Sequence, residues 1–140
     1  MRVMGIDYGD ARTGVAISDI TCTIPGSAVV VPSRNREKAI ADIVRLVQEN
    51  QVGEIAVGLP RNMDGSEGPR ARLCREFADA LAEATGRTVV MWDERRTTVE
   101  AHNILHASGK RMKEHKKTVD AVAATLILEG YLTYKRTQKP

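Results

Sequence analysis

Three apolar runs near the start of the chain, 2–8, 13–18 and 28–31, lie too close together for anything but antiparallel pairing. A parallel connection between neighbouring strands needs a dozen or more residues, usually spent on a helix. Gly9-Asp10-Ala11-Arg12 is the first turn, and Pro32 ends the third run, which suits an edge strand. Past residue 35 the period changes. Ile40, Ile43, Val44 and Val47 share one helical face, with Asn35 placed to cap it. Ile55-Ala56-Val57-Gly58-Leu59 is wholly apolar, as in a strand covered on both faces. Residues 70–85 form a second helix through Cys74, Phe77, Ala78 and Leu81, stopped by Gly86. Thr88 to Trp92 is a fifth strand. Thr98 can cap a helix ending near Gly109, and Thr118 can cap a last helix running to about Tyr134.

The order is βββαβαβαα. Each of the two later strands follows a helix and enters by a right-handed parallel crossover. The expectation is an α/β fold with a mixed five-stranded sheet, three antiparallel strands then two parallel ones, flanked by helices. At 140 residues the chain fits a single domain, 1–140.

Composition then narrows the function. Aromatic residues make up 4%, so stacking on nucleobases is not the main binding mode. Cys22 and Cys74 match no metal or redox spacing and read as buried free thiols of a cytoplasmic protein. His102, His106 and His115 make no zinc ligand set. Asp7 and Asp10 arrive too early for a signal peptide, and no apolar run approaches the roughly 20 residues that span a bilayer. The net charge is +3, and KRMKEHKK at 110–117 carries five basic residues against one acidic. That segment reads equally as a phosphate-binding arm or as a solvated loop.

Three carboxylates stand in apolar settings. Asp7 lies inside the first strand, Glu94 follows the fifth strand TVVMW, and Asp120 heads the helical stripe of Ala123, Ala124 and Ile127. A buried arginine, a solvated strand end and a helix dipole would account for them one by one. Gathered together, they would repel and raise one another's pKa, unless a hard divalent cation sat between them. Mg²⁺ and Mn²⁺ favour such oxygen ligands.

Four segments carry a resemblance: GIDYGDARTGVAISD, VGLPRNMDGSEG, DERRTT and TVDAVAATLIL. Together, and in order over essentially the whole chain, they resemble the YqgF/RuvX family of pre-16S ribosomal RNA nucleases, which are RuvC-like Holliday-junction resolvase homologues. The resemblance implies a ribonuclease-H-like fold, in agreement with the strand order above. It implies metal-dependent phosphodiester hydrolysis in RNA 5′-end maturation, ribosome biogenesis and a cytoplasmic location. Its acidic positions fall on Asp7, Glu94 and Asp120, which are expected to be both the catalytic residues and the ligands of Mg²⁺ or Mn²⁺. Asp7 would be the bridging ligand of a two-ion centre, with the ions roughly 4 Å apart. Arg12, Arg95, Lys110, Lys113, Lys116 and Lys117 are expected to contact phosphates. Many relatives have lysine where Ala11 stands, with Arg12 the nearest cation. RuvC-type resolvases carry an acidic residue around the strand that here reads AVGLP, whereas this chain's acid follows the next strand. The expected partner is structured RNA or branched DNA, and the expected assembly a monomer or homodimer. Two rivals remain at this point. The opening segment also resembles the phosphate loop of actin-like sugar kinases, which need two such domains. A non-catalytic nucleic-acid-binding module would leave the carboxylates structural.

Overall fold

A computed structural model describes residues 1–96 and 112–138. Its strands are β1 (Arg2–Asp7), β2 (Arg12–Ser18), β3 (Pro25–Pro32), β4 (Val52–Leu59) and β5 (Thr88–Asp93). Its helices are α1 (Arg36–Glu49), α2 (Pro69–Thr85) and α3 (Met112–Gln138), with a short 3-10 turn at Glu94–Arg96 after β5. The sheet order is β3-β2-β1-β4-β5. β3, β2 and β1 pair antiparallel, and β4 and β5 join in parallel. This is the expected mixed five-stranded sheet, with β3 at an edge.

Several boundaries differ from the expectation. β3 starts at Pro25 rather than at residue 28, so prolines stand at both its ends, where a missing N–H costs least. β4 begins at Val52. The last helix begins at Met112, not Thr118, so Lys113, Lys116 and Lys117 belong to α3 rather than to a loop before it. Lys and Glu are good helix formers, and a charged run of them need not be a loop. Thr98, the helix expected to follow it, and Lys110 lie outside the described residues. Cys74 is buried, but Cys22 is only half-buried, in a left-handed turn with φ 58°. The caps expected of the first two helices hold, whereas Thr118 lies inside the last helix and caps nothing. Asn35 accepts from the Lys38 amide at 3.1 Å. Gly86, at φ 67°, donates its own N–H to the Ala82 carbonyl at 2.9 Å. No helix among the described residues is long and apolar enough to cross a membrane.

Strand alternation sorts the core into two layers. Met4, Ile6, Val15, Ile17, Ile55 and Val57 face α1 and α2, and meet Ile43, Val47, Phe77 and Leu81. Val3, Ala16 and Ala56 face the other way, against Ala124, Ile127, Leu128 and Tyr131 of α3. Gly5, Gly14 and Gly58 have that second parity, so the face under α3 is paved with small residues. A side chain on Gly5 would start 2.7 Å from Cβ of Leu128, and one on Gly14 would start 2.0 Å from the Asp120 carbonyl. The helix therefore lies almost on the sheet backbone. Its far end is tied to β4, where the Glu54 carboxylate accepts from Tyr131 at 2.7 Å and from Lys135 at 2.5 Å.

Candidate active site

Asp7 follows from this parity. It is the last residue of β1 and has the register of Val3 and Gly5, so it points to the α3 side of the sheet. Glu94 has the parity of Trp92, which packs in the same layer, and it leaves the end of β5. Gly58 on β4, between β1 and β5, makes room for it. A Cβ there would lie 2.6 Å from Glu94 Oε1 and 2.6 Å from Ile127 Cδ1. The space at Gly58 thus serves a side chain of the protein itself. Asp120 comes down from α3 over Gly14, which pairs across with Asp7 in the sheet. With the helix starting at Met112, Asp120 sits more than two turns inside α3, so the helix dipole is not what holds it.

The electrostatics join the three groups. Burial, and then the charge of Asp120, push the Asp7 carboxyl above the usual carboxylate range, while a hydrogen bond from Glu94 and the charge of Arg70 pull it back. Burial, the charge of Asp7 and that same hydrogen bond push Glu94 up to about 7. Glu94 is therefore the partner that keeps the proton, and Asp7 the one that accepts from it. Asp120 stands to the side, accepting on Oδ2 from Arg12 Nε at 2.9 Å. Among the described residues no three His, Cys, Asp or Glu side chains converge closely enough to hold a metal ion. What the site presents is a proton-sharing carboxylate pair with a third carboxylate nearby, held by an arginine.

The expected phosphate contacts divide. Arg12 lies beside the carboxylates, engaged with Asp120. Arg95 forms a two-pronged contact with its neighbour Asp93, through Nε at 3.0 Å and Nη2 at 2.7 Å to Oδ2. The loop after β4 closes over that pair with a turn at Gly65, φ 88°, whose added Cβ would lie 3.5 Å from Arg95. Lys113, Lys116 and Lys117 fall in the first turns of the helix that carries Asp120.

A family model described as RuvX, Holliday junction resolvase, matches residues 1–134. The chain belongs to the RuvX family. Curated relatives match this RuvX chain along nearly its whole length. A protein of Halothermothrix orenii named "Putative pre-16S rRNA nuclease" is 46% identical over 136 residues, covering 96% of both chains. One of the same name from Anaeromyxobacter is 46% identical over 132 residues, covering 94% of this chain and 96% of its own. Solved structures agree on the fold. RuvC of Thermus thermophilus, in complex with a Holliday junction substrate, superposes with a TM-score of 0.64 at 14% identity, covering 96% of each chain. The fowlpox virus Holliday junction resolvase does so at 0.57 and 13%, covering 99% of this chain and 100% of its own.

One residue of this RuvX chain escaped the sequence reading. Arg70, in the first turn of α2, donates to the Tyr8 carbonyl and, at 2.7 Å, to Asp10 Oδ1. Its charge lowers the pKa of both Asp7 and Glu94. A faint signal was present. Helix N-termini favour acids, yet α2 has none in its first turn and carries an arginine there. Such a misplaced cation points to a use beyond the helix.

Proposed function

We propose that this protein is a divalent-metal-dependent endonuclease that hydrolyses phosphodiester bonds, processing the 5′ end of pre-16S rRNA in the cytoplasm. The observation that carries the reading is the Asp7–Glu94 pair, two half-buried carboxylates that meet across β4, beyond the ends of β1 and β5, and share a proton. Crevices beyond strand ends are where open α/β sheets place their sites. The donor set is all oxygen and anionic, which fits Mg²⁺ or Mn²⁺. Asp7 and Glu94 would hold the ion, and Asp120 would join them on release from Arg12. A bound ion would supply an acidified water as nucleophile and positive charge for the departing oxygen.

The protein's own groups do the rest. Asp7 and Glu94 would hold a cation only with their shared proton released to water, so both carboxylates would then be ionised. Arg12, Arg95 and the lysines Lys110, Lys113, Lys116 and Lys117 neutralise backbone phosphates and set the strand's position without reading its sequence. The names of the curated relatives support ribosomal RNA as the substrate. The family description favours a second reading, resolution of a four-way DNA junction. That reaction needs two such sites related by a two-fold axis.

The deciding experiment is a cleavage assay with Mn²⁺ on structured RNA and on four-way DNA junctions, comparing wild type with Asp7→Asn, alongside sedimentation of the free protein. RNA cleavage by a monomer, lost in Asp7→Asn, is the expected result. Symmetric junction cutting by a dimer would replace it with the second reading. Binding without metal-dependent cleavage of either substrate would leave only a binding module.

A further inference from the structure

Arg70 makes three kinds of contact, and one of them is out of character. Its Nη2 donates to the Tyr8 carbonyl, and its guanidinium lies 5.1 Å from the centre of the Tyr8 ring. That ring is itself fixed, stacked on the fully buried Phe77 of α2 at 4.1 Å and 13°. These contacts join α2 to β1 and position the guanidinium. The third, Nη1 to Asp10 Oδ1 at 2.7 Å, joins nothing of consequence, because the Asp10 side chain is 86% exposed against 36% for Arg70. An ion pair so open to water contributes little to folding. It does occupy the outer edge of an arginine whose charge is felt by both Asp7 and Glu94.

A phosphodiester is a better partner for that edge. It offers two anionic oxygens in the spacing that a guanidinium fork matches, and it arrives with the strand that the carboxylates are proposed to cut. The exchange costs the protein one weak, solvated contact. Tyr8 would keep the guanidinium in place throughout, so no loop has to move.

We propose that Arg70 grips a backbone phosphate of the nucleic-acid strand entering the Asp7–Glu94 site, and that Asp10 is an exchangeable latch which holds the arginine until the phosphate displaces it. This inference rests on the nuclease reading and adds to it a contact and a competitor. Asp10 works against substrate binding. Its removal therefore strengthens binding, but only while Arg70 is present to benefit.

The test is a double-mutant cycle on affinity for a single-stranded RNA oligonucleotide, measured in EDTA at three salt concentrations. The variants are Asp10→Asn, Arg70→Gln, the pair together, and Arg70→Lys, with thermal melts to confirm folding. Asp10→Asn should tighten binding, by up to about fivefold for a contact of this exposure. Arg70→Gln should weaken it and lower the slope of log affinity against log salt by about 0.7. Arg70→Lys should restore the slope and not the full affinity. Asp10→Asn should do nothing in the Arg70→Gln background. An equal gain in both backgrounds would mean that Asp10 acts only through its general charge, and no gain in either would mean that it does not compete. Both results overturn the latch. Wild-type protein is assayed in parallel for Mn²⁺-dependent cleavage. Cleavage with an additive cycle sinks the latch alone, and a wild type that neither binds nor cleaves sinks the nuclease reading and the latch with it.

Discussion

Arg12 Nε donates to Asp120 Oδ2 at 2.9 Å, joining the first turn of the sheet to the last helix across 108 residues of sequence. The side chains are 41% and 23% exposed, so the pair contributes at most about 1 kcal/mol to folding. Its interest is the hold it has on the third carboxylate. Arg12→Ala should cost little stability in a urea melt. It should weaken nucleic-acid binding by one phosphate contact and let Mn²⁺ bind tighter, because Asp120 is freed. Calorimetric titration with Mn²⁺ reads the second effect, and a weaker affinity there would show that Arg12 supports the site instead.

Asp7→Asn removes a carboxylate that burial and the charge of Asp120 both disfavour. Cleavage should vanish, while the metal-free protein should melt at a higher temperature than wild type. In the wild type, Mg²⁺ or Mn²⁺ at a hundred times its dissociation constant should add about 2.7 kcal/mol of stability. Asp7→Asn should lose most of that gain. A mutant that cuts RNA or junctions at the wild-type rate would remove Asp7 from the chemistry.

The Asp7–Glu94 pair also sets a pH dependence. Glu94 titrates near 7 in the folded protein against its ordinary 4.5. Between those values the folded state holds a proton that the unfolded chain has released, so stability falls as pH rises and levels off above about 7. The full drop should be of order 2 kcal/mol, discounted from the whole shift because the site is partly open to water. Denaturation of the metal-free protein from pH 4.5 to 8.5 should show this slope, and Glu94→Gln should flatten it.

Two glycines separate packing from chemistry. At Gly58 an added methyl meets the movable ends of Glu94 and Ile127, so Gly58→Ala should cost about 1–2 kcal/mol and displace Glu94. Cleavage should drop further than the lost stability explains. At Gly14 the obstacle is the Asp120 carbonyl at 2.0 Å, which is backbone, so Gly14→Ala should cost about 3 kcal/mol or more. Circular dichroism melts beside kcat measurements distinguish the two patterns.

The sheet was legible because its signals are local. Short gaps forced antiparallel pairing on the first three strands, and Asn35 and Gly86 cap the helices they were expected to cap. The start of α3 was not legible. Thr118 looks like a cap, and KRMKEHKK looks solvated, yet propensity carries the helix through both from Met112. The carboxylates could be picked out one at a time, each as a charge in an apolar setting. Their pairing could not, since it depends on Gly58 and Gly14 leaving room on the α3 face. Arg70 was missed for a similar reason: its partners Tyr8 and Asp10 lie some 60 residues away and come within reach only through the sheet.

The close seating of α3 on Gly5 and Gly14 has a consequence in time as well as in space. Translation delivers Asp7 before Glu94, Glu94 after the last of the described strands, and Asp120 later still, on the helix that follows. On the proposed reading, a nascent chain beside ribosomal RNA holds two of its three carboxylates but lacks the third. Cutting ability then begins with a single docking event, when the helix settles onto a finished sheet, and a chain stalled before that point is harmless to the RNA it is being made on.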